Sequence, residues 1–352
     1  MSMGTDARTF HLLLIAGKSG EGSMKRLVFL SWVLIGAASG MGAAFAGTVY
    51  TANEISNTVS VIDTDTGAVE TIPLGDEDHH RPLYNGHIDI HGMMPSPDGK
   101  MLWVTGRGSS TVVAIETESR KVLGYLLPGR EPHVATFTPD GKEAWVTVRG
   151  ESHISVIDVK KFKIKEEIPT VSGPSMVMFS HDGKRAFVGS QKEANLAVID
   201  VSSRKAVATI PMPSQFSPFL MLSHDGKEVW ITHKDTSQVS IVDAGSLTLR
   251  KTFSVGKAPN HLAFVQNAGG KFVYVTIAKE NAVEIYEEEG QKQVGKIAVG
   301  EEPHGIWPDE DGRRLFVGHE KTNDVRVIET RSNEVTATYG VGKKPIDVVY
   351  LP

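Results

Sequence analysis

Residues 132–173 read PHVATFTPDGKEAWVTVRGESHISVIDVKKFKIKEEIPTVSG. Apolar and polar residues alternate in four short runs, which are separated by Asp-Gly-Lys or by other turn-forming residues. This pattern predicts four β-strands joined by tight turns. Trp145 in the second run is followed 13 residues later by Asp158, which closes the third run. The stretch therefore predicts one four-stranded antiparallel unit.

The same 13-residue spacing between an aromatic and an acidic residue occurs seven times. The pairs recur every 42 to 44 residues, except for a first interval of 53 residues. Such a period with short alternating strands is typical of a β-propeller, because each unit buries its faces only against neighbouring units. We therefore expect an all-β, seven-bladed β-propeller in one domain. The pairs are Tyr50/Asp63, Trp103/Glu116, Trp145/Asp158, Phe187/Asp200, Trp230/Asp243, Tyr274/Glu287 and Phe316/Glu329.

The two ends of the repeat each lack part of a blade. Residues 345–350 (PIDVVY) form an innermost strand with no second strand after it, and residues 48–51 (TVYT) form a second strand with no first. Together they complete one blade. The sequence therefore predicts that the C-terminal strand pairs with the N-terminal strands and closes the ring without leaving a free edge there.

The N-terminal region has the features of an export signal. A basic start (MKR, 24–26) precedes an apolar stretch (27–35), and an A-x-A cleavage site follows at 44–46. The apolar stretch is too short for a membrane span. We expect an over-extended start at 1–23, a signal peptide at 24–46 cleaved after Ala46, and a mature propeller at 47–352 in the periplasm.

Composition excludes several classes of function. With 37 basic and 42 acidic residues, the formal net charge of -5 argues against nucleic-acid binding. The absence of cysteine excludes disulfides, thiolate metal ligands, a lipoprotein anchor and covalent c-type haem attachment. Any metal must be held by histidine, carboxylate, methionine or backbone oxygen. Because a closed ring leaves no edges to satisfy, we expect a monomer. After cleavage of the signal peptide we expect no integral membrane protein.

Three segments carry a family resemblance: 51–53 (TAN), 145–147 (WVT) and 274–276 (YVT), each leading into a V-x-I-D-type run. They resemble the YVTN-type β-propeller repeat, over essentially all of 47–352. The chain is also similar, more distantly, to the propeller domains of cytochrome cd1 nitrite reductase and nitrous oxide reductase. That resemblance implies histidines facing the axis, which hold haem d1 in the first enzyme and a copper cluster in the second. YVTN repeats also occur in scaffold proteins.

The histidines fall at related positions of the repeat. Seven residues before the turn aspartate, at the start of the innermost strand, stand His91, His133 and His304, and His261 follows the equivalent Asn260. His87 ends a His-rich insertion of about eleven residues before His91. Imidazole is the preferred nitrogen ligand for copper, zinc and haem iron. We predict a metal site at the axial top face, formed by His87, His91, His133, His261 and His304.

Copper is the favoured metal for this site, and a haem or haem d1-like tetrapyrrole is the alternative cofactor. Arg107 and Arg149, one position beyond the ends of their second strands, are placed to steer an anion or a propionate of such a cofactor. The alternative interpretation is that both arginines are ordinary surface charges. The acidic residues of the 13-residue pairs are expected to form turns.

A second class of function stays open beside the metal site. Each histidine at the start of an innermost strand also suits a structural hydrogen bond to the neighbouring blade. The protein would then be a non-catalytic periplasmic scaffold whose insertion contacts a protein, peptide or glycan. A zinc- or calcium-dependent lactonase-like site is less favoured, because such sites use carboxylates and asparagine. No motif decides whether the protein is an enzyme.

Overall fold

The computed structural model describes residues 47–74 and 88–352, which form 28 strands and one short 3-10 helix, Ala278–Glu280. The strands make seven separate four-stranded antiparallel sheets. The innermost strand of each sheet contacts the innermost strands of the sheets on both sides, so the sheets form a ring of seven blades. The expected all-β, seven-bladed propeller is confirmed.

We number the blades I to VII and give their strands from the axis outwards. The first four blades are β28 (Pro345–Leu351), β1 (Thr48–Asn53), β2 (Thr58–Asp63), β3 (Val69–Pro73); β4 (Ile90–Pro95), β5 (Met101–Gly106), β6 (Thr111–Glu116), β7 (Val122–Leu126); β8 (Pro132–Phe137), β9 (Glu143–Val148), β10 (His153–Asp158), β11 (Lys163–Pro169); and β12 (Pro174–Phe179), β13 (Arg185–Ser190), β14 (Asn195–Asp200), β15 (Lys205–Pro211).

Blades V to VII complete the ring in the same order. Their strands are β16 (Phe219–Leu222), β17 (Glu228–His233), β18 (Gln238–Asp243), β19 (Thr248–Ser254); β20 (Pro259–Asn267), β21 (Gly270–Ile277), β22 (Ala282–Glu287), β23 (Gln293–Ala298); and β24 (Pro303–Pro308), β25 (Arg314–His319), β26 (Asp324–Glu329), β27 (Glu334–Gly340). β16 begins only at Phe219, directly after Pro218, which has no N–H to donate to a neighbouring strand.

The ring closes as the sequence predicts. β1 pairs antiparallel with β28, with Val49 opposite Tyr350 and Thr51 opposite Val348. Blade I therefore contains strands from both ends of the repeat. This closure removes the free edge that β1 would otherwise present.

The repeat aromatics form the core between blades. Trp103 packs against Phe137 of the next blade, with 5.0 Å between ring centroids, and Trp145 packs in the same way against Phe179 at 5.1 Å. Both tryptophans are fully buried. The 13-residue spacing therefore places one large side chain on each blade where it fills the space beside the following blade.

The acidic residues of the 13-residue pairs stabilise turns. Oδ1 of Asp63 accepts a hydrogen bond of 2.8 Å from the Thr66 N–H, and Oδ1 of Asp243 accepts one of 2.7 Å from the Ser246 N–H. These contacts close the turn after the third strand. The turn-forming prediction is confirmed at these positions.

Candidate functional site

A threonine near the end of the second strand positions the histidines of the following blade. The Thr105 hydroxyl donates to the His133 carbonyl at 2.7 Å, and the Thr276 hydroxyl donates to the His304 carbonyl at 2.8 Å. Both hydrogen bonds are buried and link adjacent blades. The backbone at the start of each innermost strand is therefore held from two sides.

Glycine makes this close approach possible in blade II. A Cβ on Gly92 would lie 2.2 Å from the His133 carbonyl oxygen, which is far inside van der Waals contact. Gly92 directly follows His91, so the backbone of blade II approaches that of blade III beside the two imidazoles.

Four of the five predicted histidines converge at the axis. The ring centroids of His91 and His133 are 4.3 Å apart, those of His91 and His304 are 6.1 Å apart, and those of His261 and His304 are 4.7 Å apart. All four residues are buried, with no more than 8% of the residue surface exposed. We call them the axial histidines. His87, the fifth, lies outside the described residues.

A carboxyl group lies below the axial histidines. Asp347 Oδ1 is 3.8 Å from His261 Nδ1, and Asp347 Oδ2 accepts a hydrogen bond of 2.8 Å from the Met93 N–H. A narrow cavity of ≈ 10 Å³, about the space of one water molecule, is lined by His91, His261 and Asp347 together with methionine and other apolar side chains. The axis therefore has room for a small ligand only.

Burial keeps the axial histidines neutral. Desolvation, helped by the positive charge of Arg107, holds the pKa of His91 and His133 well below the usual value. Desolvation and the charge of Lys234 lower the pKa of His261 to about 3. In the same environment, burial raises the pKa of Asp347 to about 7. At neutral pH the imidazoles are therefore unprotonated, which is the form that binds metals.

Three axial histidines have a nitrogen without a hydrogen bond. Nδ1 of His91, His133 and His304 is buried and has no hydrogen-bond partner among the described residues. Desolvation lowers the pKa of His133 and of His304, and contacts with the backbone of Ser175 and of Ile346 oppose it only in part, without reaching hydrogen-bond geometry. Unpaired buried nitrogens cost free energy, so structural hydrogen bonding alone does not account for these side chains.

Seven equivalent residues form the rim of the mouth above the axial histidines. Each directly follows the second strand of its blade, and its N–H donates to the carbonyl of a residue just before the innermost strand. The rim is therefore a repeated backbone structure whose side chains vary. From blade I to blade VII these rim residues are Glu54, Arg107, Arg149, Gln191, Lys234, Ala278 and Glu320.

Both predicted arginines lie on this rim, and both are already paired. Arg107 Nη2 is 2.7 Å from Glu54 Oε1. Arg149 Nη2 is 2.7 Å from Glu131 Oε2, and its Nη1 donates to Gln191 Oε1 at 3.2 Å. Their charges are therefore largely neutralised by neighbouring carboxylates, and their role in anion binding stays a prediction.

Rim side chains also contact the axial histidines. Gln191 Nε2 is 3.0 Å from His133 Nε2, and Glu320 Oε1 is 3.9 Å from His304 Nε2. Burial raises the pKa of Glu320, against the opposing charges of Lys344 and Lys234. Nε2 is thus the nitrogen that both histidines direct towards the mouth.

Sequence reasoning did not single out Gln191, Lys234, Glu320 or Asp347. A signal was available for the first three, because they occupy the same repeat position as Arg107 and Arg149. For Asp347 the available signal was its place directly after Ile346, because Ile346 occupies the repeat position equivalent to His91, His133 and His304. The prediction considered only the histidines and arginines at these positions, so it missed the amide, the lysine and the two carboxyl groups.

Two further histidines near this face have structural roles. His233 is fully buried between the hydroxyls of Ser217 and Ser240, at 2.8 and 2.7 Å. His319 Nδ1 lies 2.8 Å from Asp324 Oδ1 and is also fully buried. They end their second strands inside the blades, so they stabilise the blade interior and stand apart from the axial histidines.

The copper prediction gains no support from the geometry. Within 47–74 and 88–352, no three histidine or acidic side chains are arranged to hold a metal ion. The axial histidines contact each other through ring faces and edges, at interplanar angles of 39° to 88°.

Residues 146–349, more than half of the chain, match the Cytochrome D1 heme domain family. The chain belongs to this family. The match includes His261, His304 and all rim residues from Arg149 to Glu320, whereas His91 and His133 precede it. It agrees with the expected similarity to haem d1 propellers. No curated protein matches the chain at a significant level.

Solved structures share the fold. Hydrazine synthase of Kuenenia stuttgartiensis superposes with a TM-score of 0.69 at 19% identity, covering 78% of this chain and 93% of that one. A functionally unknown protein from Desulfotomaculum acetoxidans gives 0.71 at 14% identity, covering 86% and 98%. The dihydro-heme d1 dehydrogenase NirN, solved in complex with DHE, gives 0.62 at 13% identity, covering 84% and 73%. At these identities the likeness concerns the fold alone.

Proposed function

We propose that this protein binds a haem-type tetrapyrrole of the haem d1 class over the mouth of its axis, with an axial histidine as the iron ligand. The observation that carries the proposal is the convergence of His91, His133 and His304, each with a buried Nδ1 that lacks a hydrogen bond among the described residues. Membership of the haem-domain family supports the class of cofactor. So does the bound DHE of NirN, which shares the fold.

The geometry favours a tetrapyrrole over a bare copper ion. A copper ion needs several protein ligands around one centre, and the described residues contain no such group. A tetrapyrrole supplies four nitrogens itself, so a single imidazole is a sufficient protein ligand. The axial cavity holds no more than about one water molecule. The macrocycle would therefore lie over the mouth.

The chain's own residues would then have distinct roles. His133 and His304 direct Nε2 to the mouth and are kept neutral by burial, so either is suited to ligate iron. Arg107 and Arg149 would contact the edge of the macrocycle from blades II and III. When bound, haem iron supplies one-electron redox chemistry. Gln191 and Glu320 lie beside these same Nε2 atoms, so their side chains would have to turn away from the imidazole that ligates iron.

We also propose that the protein acts in the periplasm after removal of residues 24–46. The motif that suggests it is the basic start, apolar stretch and A-x-A sequence. No helix in the described part of the chain has the length and apolar character needed to cross a membrane. N-terminal sequencing of protein from a periplasmic fraction tests this proposal. A mature N-terminus at Gly47 supports it, and full-length protein retained in the cytoplasm contradicts it.

Titration with ferric haem and with haem d1 tests the proposed cofactor. We expect binding of one tetrapyrrole per chain, with a shifted main absorption band. His133→Ala and His304→Ala should each be compared with the parent protein, and loss of the ligated spectrum in one of them identifies the iron ligand. His181→Ala is the matched control, because His181 is exposed in a turn on the opposite face.

The proposal fails if neither tetrapyrrole binds. It also fails if both bind but all single and double variants of His91, His133 and His304 keep the parent spectrum. In the first case the scaffold alternative, with the insertion as a contact surface for a macromolecule, becomes the leading hypothesis.

A further inference from the structure

Lys234 differs from the other cations of the rim. Arg107 is paired with Glu54, and Arg149 is paired with Glu131. Lys234 makes no ion pair and no side-chain hydrogen bond among residues 47–74 and 88–352. It is thus the rim cation whose charge is available to a ligand.

This lysine is only partly exposed, although it is unpaired. Burial lowers the pKa of Lys234, and the more distant Glu320 and Glu302 only partly compensate. Holding an unpaired ammonium group away from water costs free energy. A carboxylate arriving at this position would remove that cost, and it would gain a charge-assisted hydrogen bond.

The two rim neighbours of Lys234 are uncharged. The rim positions on either side are Gln191 and Ala278. Below the rim in blade V lies Phe219, whose ring stacks on His261 with 4.0 Å between centroids. Lys234 is therefore a single positive charge over an apolar, aromatic part of the mouth.

Lys234 also lies close enough to influence the axial histidines. Its charge contributes to the lowered pKa of both His261 and His304. Across the mouth, the charge of Arg107 acts in the same way on His91 and His133. A ligand over the axial histidines would therefore reach Lys234 with its edge on the side of blades IV to VI.

We propose that Lys234 binds a carboxylate of the tetrapyrrole and thereby sets the rotational orientation of the macrocycle over the axial histidines. This inference rests on the proposed function. The uncharged flat body of the macrocycle would cover the surface above Phe219, while its acidic edge meets the one unpaired rim cation. Paired Arg107 and Arg149 would then be secondary contacts.

The test compares ferric protoporphyrin IX with its dimethyl ester, in which both carboxylates are blocked. We expect Lys234→Gln to weaken binding of the free acid about tenfold, as the loss of one charge-assisted hydrogen bond implies, and to leave ester binding unchanged. Lys234→Arg should keep most of the affinity for the free acid. The matched control is Lys279→Gln, because Lys279 is an exposed lysine of the next blade that is already paired with Glu302 at 2.7 Å.

The outcomes separate this inference from the proposed function. If the parent protein binds the porphyrin but Lys234→Gln binds the free acid equally well, the inference is wrong and the proposed function stands. Equal losses for acid and ester also contradict it, because the lysine would then act on the site in another way. If the parent binds no tetrapyrrole, the proposed function itself fails. Unchanged circular dichroism and Tm establish that each variant is folded.

Discussion

The axial histidines combine burial with unpaired nitrogens. Buried polar groups in folded proteins nearly always have hydrogen-bond partners, yet Nδ1 of His91, His133 and His304 has none among the described residues. The imidazoles lie at the starts of innermost strands, each of which contacts the innermost strands of its two neighbouring blades. A site of this kind lowers the stability of the ligand-free protein and raises the gain on binding.

The buried titratable groups predict the acid sensitivity of the fold. The pKa of His133 lies well below 6.5 in the folded protein, so below that pH the unfolded chain binds more protons and the free energy of unfolding falls. Each such histidine contributes up to about 1.4 kcal/mol per pH unit. Asp347 has the opposite sign: with a pKa raised to about 7, its folded form binds more protons between about pH 4 and 7.

Urea unfolding between pH 8 and pH 5 measures both effects. We expect His133→Leu to flatten the loss of stability on acidification and Asp347→Asn to steepen it. Parallel pH profiles for the parent and both variants would contradict the assignment of these groups.

At the scale of elements, threonine hydroxyls link the innermost strands of neighbouring blades. The Thr105 hydroxyl bonds its own blade through the Gly92 N–H, at 2.9 Å, and the next blade through the His133 carbonyl, at 2.7 Å. One side chain thus joins two innermost strands directly beside the axial histidines.

Thr105→Val therefore should destabilise the protein by about 1–3 kcal/mol, because the methyl group leaves the buried polar backbone groups without their partner. Thr105→Ser retains the hydroxyl and should recover most of this loss. Chemical denaturation of the three proteins measures the difference. Equal midpoints for the valine and serine variants would show that the inter-blade hydrogen bond has no net effect.

The repeat made blades and histidine positions predictable, because both follow from local spacing along the chain. The 13-residue interval spans one strand pair, so it holds for Trp145 and Asp158 wherever the blade lies in the ring. Charge pairing follows no such period. Arg107 is neutralised by Glu54 of the preceding blade, 53 residues earlier, whereas the rim neighbours of Lys234 are the uncharged Gln191 and Ala278. Which rim cation is free to bind a ligand could therefore be seen only in the three-dimensional structure.

For the whole molecule, the ring depends on a single non-covalent closure. Thr48 is the register partner of Leu351, so the two ends of the propeller lie side by side. Removing β28 takes away the innermost strand of blade I and the Asp347 carboxyl with it. It also exposes the hydrogen-bonding edge of β1.

We expect deletion of residues 345–352 to give aggregated or poorly folded protein. A circular permutant provides the control: joining Pro352 to Gly47 and opening the chain at Gly290, in a turn where nothing lies within 4 Å of an added Cβ, should preserve the fold. Size-exclusion chromatography and thermal unfolding distinguish the deletion variant from the permutant. A monomeric, cooperatively unfolding deletion variant would show that the closure is dispensable.

The pairing of β1 with β28 also determines when the ring can close during protein synthesis. Blade I is the first blade to be started and the last to be finished, because its innermost strand is made roughly 300 residues after its second. At ordinary elongation rates the edge of β1 waits for its partner for on the order of 15 to 60 s. Throughout that time the ring cannot close, and the emerging chain stays accessible to chaperones.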